Sequence, residues 1–75
     1  MNAFTGQTFQ MNQIINIKEV VMITGLSRAT IYNLLDSEHN QYDPTFPKQV
    51  NLSINRVGWS ALEINRWIED KLANR

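Results

Sequence analysis

The stretch GLSRATIYNLL, from Gly25 to Leu35, carries the reading from which the rest of the chain follows. Gly25 suits a left-handed residue that ends one helix, because it has no Cβ to clash there. Ser27 suits the N-cap of the next helix, since its hydroxyl accepts from the free amides of a first turn. At about 100° per residue, Ile31, Leu34 and Leu35 fall on one side of that helix. Ala29, Asn33 and Asp36 face the other way, Thr30 and Tyr32 flank them, and Arg28 projects from the first turn. A solvated helix usually mixes both charge signs. This outer face collects an arginine, hydroxyls and an amide, and almost no carboxylate, which is the composition needed to lie against an acidic polymer.

Upstream, Asn16 and Glu19 stand at capping-box spacing before INIKEVVMITG. Ile17, Val20, Val21 and Thr24 then share a face, with Ile23 beside them. The expectation is a helix of about two turns, closed by Gly25. Two short helices joined by Gly-Leu-Ser form a helix-turn-helix pattern. Residues 1–13 are rich in Gln, Asn and Thr and show no period, so they read as a flexible N-terminal arm. The domain itself is expected over residues 14–75.

Downstream, residues 36–47 (DSEHNQYDPTFP) read as a loop, since turn formers and both prolines break any period. KQVNL then alternates, with Val50 and Leu52 pointing one way. RVGW pairs with it across a short SIN link, placing Val57 and Trp59 inward. Ser60 and Glu63 repeat the capping-box spacing. Ala61, Ile64, Trp67, Ile68 and Leu72 follow as one apolar stripe at helical spacing. The expected fold is mainly α with a small β-hairpin: helix, turn, helix, hairpin wing, helix, a winged helix-turn-helix.

Composition limits what such a chain does. It has 75 residues, enough for one small domain with a thin core. With no cysteine there is no disulfide framework and no thiolate metal site. The first dozen residues lack a signal peptide's basic start and apolar run. No apolar stretch approaches the roughly 20 residues of a membrane helix. The expectation is a soluble, cytoplasmic protein with no membrane partner. Net charge is zero, which counts against indiscriminate nucleic-acid binding.

Catalytic chemistry has little to work with. His39 is the only histidine, in a loop with Asp36, Glu38 and Asp43, and no spacing there matches a metal-ligand pattern. No glycine-rich phosphate loop is present. We expect no enzyme activity, no cofactor and no metal.

Binding to double-stranded DNA fits better. A helix fits the major groove, where base edges expose a distinct donor–acceptor code. On the outer face, Arg28 suits guanine and Asn33 suits adenine, each bidentately, while Ala29 or Thr30 suits a thymine methyl. Ser27 and the first-turn amides suit a phosphate, as does Tyr32 from the flank. A basic hairpin after a helix-turn-helix is placed to reach backbone or minor groove. Its candidates are Lys48 and Arg56, with Asn55 at the turn. The rival reading is a protein–protein interaction module using the same helix face, which zero net charge permits. Trp59 and Trp67 belong to the core by their spacing. Lys71 and Arg75 are favoured by a helix C-terminus without any DNA.

INIKEVVMITGLSRATIYNLL, FPKQVNL, RVGW and ALEINRWIEDKL, in that order, resemble the AlpA family of phage-type DNA-binding regulators over about residues 14–73. The resemblance implies a winged helix-turn-helix of the MerR-like and excisionase-like kind. It implies sequence-specific DNA binding for a mobile element or phage, as a transcriptional regulator, an excisionase that directs recombination, or both. By that likeness Ser27, Arg28, Thr30, Tyr32 and Asn33 lie in the recognition helix, Lys48 in the wing, and the wing arginine position falls on Arg56 or Asn55. The implied partners are DNA, integrase or RNA polymerase. A domain this small reads few base pairs, so further copies of itself on the DNA are also expected.

Overall fold

A computed structural model describes residues 13–75. The arm expected over residues 1–13 therefore lies outside the described residues except for Gln13, whose carbonyl accepts from the Ala61 N–H at 2.8 Å. The elements are β1 (Ile14–Ile15), α1 (Ile17–Thr24), α2 (Arg28–Leu35), β2 (Val50–Ser53), β3 (Arg56–Ser60) and α3 (Ala61–Ala73). This is a winged helix-turn-helix with one addition. The wing hairpin is extended by β1 into a three-stranded antiparallel sheet of order β1-β3-β2. Ile14 pairs with Ser60 and Ile15 with Trp59.

The helix boundaries follow from local chemistry. Asn16 accepts from the Glu19 N–H, and the Glu19 carboxylate accepts from the Asn16 N–H, each at 2.9 Å, so the capping box is complete. At Ser60 only the forward half forms, with the Glu63 N–H donating to the hydroxyl at 3.2 Å. Gly25 takes φ 77° and donates to the Val21 carbonyl, the left-handed cap that ends α1. Thr24 stitches the turn: its hydroxyl donates to the Val20 carbonyl at 2.8 Å and accepts from the Leu26 N–H at 3.2 Å. Ser27 caps α2 by accepting from the Thr30 N–H at 3.1 Å.

The core gathers one residue from every element except β2. Ile15, Val20, Ile31, Trp59 and Ile64 are buried, and Phe46 joins them from the segment expected to be only a loop. Trp59 is fully buried, and its indole N–H meets no acceptor among the described residues, so packing alone holds the ring. Phe46 meets Trp67 edge-on, with ring centroids 5.0 Å apart.

Three expectations about inward-facing residues are corrected. Leu52 is 50% exposed and Val57 42% exposed, so beyond its base the hairpin has no buried face. Leu72, the last residue of the α3 stripe, is also exposed, because α3 outruns the core there. The strand also starts later than expected. Lys48 and Gln49 precede β2, which begins at Val50.

The 36–47 segment is anchored rather than loose. The Asp43 N–H donates to the Leu34 carbonyl at 3.0 Å, tying the segment back to the end of α2. The Asp43 carboxylate accepts from the Trp67 indole N–H at 3.3 Å and lies 3.2 Å from Lys71 Nζ, tying it forward to α3.

Candidate nucleic-acid interface

Helix α2 places its residues as its period dictates. Ile31 is fully buried, and Leu34 and Leu35 pack beside it against the core. The opposite face then has to meet solvent or a ligand. Arg28 and Ala29 are exposed there, and the helix contains no acidic residue. Ser27 is exposed at the cap, where its hydroxyl donates to Thr30 Oγ1 at 2.9 Å. The Ser27–Thr30 pair therefore serves the helix start first.

Tyr32 divides between core and surface. It is 42% exposed, while its ring leans on Trp59 with centroids 6.3 Å apart and planes inclined by 59°. This contact links the outer flank of α2 to β3, so the wing base and the helix face share one buried ring. Asn33 is half-buried, and its Nδ2 donates to Gln41 Oε1 at 3.1 Å. An amide nitrogen carries two donors. Gln41 holds one of them.

The expected wing residues separate in space. Asn55 and Arg56 are exposed, at the turn and at the first residue of β3. Lys48 is exposed too, but it lies outside the hairpin and lines a shallow hollow with Leu34, Leu35, Tyr42 and Phe46. Its charge thus stands beside the C-terminal end of α2 and not on the wing tip.

Two residues were not singled out from the sequence. Gln41 gave no signal because its contact with Asn33 spans a turn-rich segment. Ile54, in the two-residue turn, is 96% exposed. An apolar residue where Gly, Asn, Asp or Ser is favoured was the available sign.

Among the described residues no cluster of His, Asp and Glu is arranged to hold a metal ion. His39 uses Nδ1 to accept from the Gln41 N–H at 3.0 Å, a local turn contact. No helix among the described residues is long and apolar enough to cross a membrane. The Asp43 carboxyl is displaced from its ordinary range, to about 2 from 3.8. Burial raises it, but donors from Thr45, Lys71 and Trp67 outweigh that effect and favour the charged form. That arrangement is structural: it clamps the 36–47 segment to α3.

Residues 13–72 match the family described as prophage CP4-57 regulatory protein (AlpA). The chain is 39% identical over 59 residues to the DNA-binding transcriptional activator AlpA of Escherichia coli strain K12, covering 79% of this chain and 84% of that protein. It is 33% identical over 63 residues to the uncharacterized protein ORF88 of Enterobacteria phage P4, covering 84% of this chain and 65% of the other. No solved structure matches it significantly. A family match over residues 13–72, together with the identity to an AlpA protein over most of both chains, makes this chain a member of the AlpA family.

Proposed function

We propose that this protein is a sequence-specific DNA-binding regulator of a phage or prophage, working by binding and without bond chemistry. The observation that carries the reading is the outer face of α2. Arg28, Ala29, Tyr32 and the oriented amide of Asn33 lie together on a capped helix without acidic residues, inside a winged helix-turn-helix. That set matches what a major groove offers: acceptors on guanine, a donor–acceptor pair on adenine, and a thymine methyl. The printed name of the E. coli relative, a DNA-binding transcriptional activator, supports the same reading.

In this account Arg28 and Asn33 read base edges, and Ala29 and the Thr30 methyl contact apolar edges. Ser27 and the first-turn amides meet a phosphate. Arg56 and Asn55 reach the DNA from the wing, and Lys48 meets backbone from beside α2. Transcription control is the output favoured by the named relative. An excisionase role uses the same binding physics and differs only in where the sites lie. Integrase, RNA polymerase and further copies of the chain are the partners these two outputs would recruit.

Selection of duplexes from a random-sequence pool by the full chain, followed by footprinting of the enriched site, tests the reading. A discrete protected site is expected. Sites over a promoter indicate transcription control, and sites beside an attachment sequence indicate excision. Equal affinity for every duplex, or none, would return the α2 face to a protein-interaction role.

A further inference from the structure

The tip of the hairpin carries the most exposed large apolar side chain among the described residues. Ile54 is 96% exposed, with Leu52 at 50% and Val57 at 42% in the same hairpin. Ser53 pairs with Arg56 across the turn, so Ile54 and Asn55 form the tip. Neither has positive φ, so the turn is not of the type that matches strand twist, and the register shift between Asn51 and Ser53 absorbs the mismatch. Isoleucine brings nothing to such a turn, having neither glycine's freedom nor a short polar side chain. It brings nothing to the core either, since it stands in water.

Resting on the DNA-binding reading above, we propose that Ile54 is an apolar wedge that enters the minor groove and inserts at a base step, kinking the duplex. Side chains of this type at the tip of a projecting element unstack base steps in architectural DNA-binding proteins. A β-branched side chain has few χ1 states, so the wedge is stiff before it binds. Its neighbours have matching chemistry. The Asn55 amide suits the acceptors that A·T pairs present in the minor groove, and the Arg56 guanidinium suits its negative potential. The favoured step is a pyrimidine–purine step, the easiest to unstack. The protein then reads deformability at a position that α2 does not touch.

The test uses the full chain and a duplex enriched from a random pool by its own binding, labelled at both ends for energy transfer. The wild type is expected to bend it by about 20–90°. Ile54→Ala is expected to lose most of the bend and to bind about tenfold more weakly, while Ile54→Met keeps both. A mismatch at the kinked step, where stacking is already broken, should restore Ile54→Ala binding. Melting points of the variants should equal the wild type, since Ile54 packs against nothing. A wild-type bend of zero, or the same bend in Ile54→Ala, overturns the wedge while leaving DNA binding intact. Self-association off DNA that Ile54→Ala abolishes, with the bend unchanged, assigns the residue to a second copy and also overturns it. Failure to bind any duplex overturns the underlying reading and the wedge with it.

Discussion

The amide of Asn33 on α2 is held by Gln41, eight residues away, through a 3.1 Å hydrogen bond from Nδ2 to Oε1. One of its two donors is engaged. Under the proposed function, this bond sets the angle at which Asn33 meets a base edge. Gln41→Ala should therefore lower affinity for the selected site by about twofold to fivefold, the scale of one exposed hydrogen bond worth about 0.5–1 kcal/mol. Binding to random duplex should not change. A rise in specific affinity on Gln41→Ala would mean that Gln41 competes with the base.

At Gly58, β3 lies close against its antiparallel neighbour β1. A Cβ there would lie 2.5 Å from Ile14 Cγ2 and 2.8 Å from the Ile15 carbonyl oxygen. The side chain of Ile14 can turn away, but the backbone oxygen cannot without breaking the β1–β3 pairing. Gly58→Ala should cost about 1–3 kcal/mol and loosen β1 first. Urea unfolding gives the total, and amide exchange at Trp59, which pairs with Ile15, reports the strand. A variant as stable as the wild type would mean that β1 contributes little.

Asp43 makes stability depend on pH in a defined window. Its carboxyl lies at about 2 in the fold, below the ordinary 3.8. A group lowered by folding contributes fully above its unfolded pKa and loses that contribution as pH falls through its folded pKa. The loss should run between about pH 4 and pH 2. It should amount to about 1–2 kcal/mol after allowance for solvent screening. Asp43→Asn should be less stable at neutral pH and should lack this part of the acid dependence. Thermal melts from pH 2 to pH 5 compare the two chains, and parallel curves would remove Asp43 from its clamping role.

Much of the helical part of this fold was legible because its signals are local. Asn16 with Glu19, Gly25, Ser27 and Ser60 act within four residues of themselves, and each sits where the sequence suggests. The missed features are long-range. β1 is two residues long and has no period to detect. Phe46 enters the core from a turn-rich segment, so its burial has no periodic signature. Leu52 and Val57 misled because alternation signals a buried face only where something covers it. The wing projects past the core, and the register shift beside Leu52 breaks the alternation. For the interface, α2 displayed its candidate residues in the sequence itself, whereas the displacement of Lys48 from the wing depends on where β2 begins.

The ionic contribution to binding should be small. Arg28, Lys48 and Arg56 are the exposed cations of the proposed interface. Each phosphate neutralised adds about 0.9 to the slope of log affinity against log salt, so a slope of roughly 3–5 per protomer is expected once helix-end amides assist. Lys48→Ala and Arg56→Ala should each flatten it by up to about one and weaken specific and random duplex alike. Titrations at several salt concentrations measure this. A slope near about ten would place additional backbone contacts elsewhere on the chain.

The central claim is that α2 reads sequence, and it is tested most directly by the ratio of selected-site to random-duplex affinity. Circular dichroism first establishes that Arg28→Ala and Asn33→Ala are folded, since Arg28 sits in the capped first turn of α2. A good bidentate contact discriminates against a wrong base by about 1–3 kcal/mol. Each variant should therefore lose about fivefold to 150-fold in that ratio while binding random duplex nearly as the wild type does. An unchanged ratio in both variants would contradict the claim, and the outer face of α2 would then be an ordinary solvated surface.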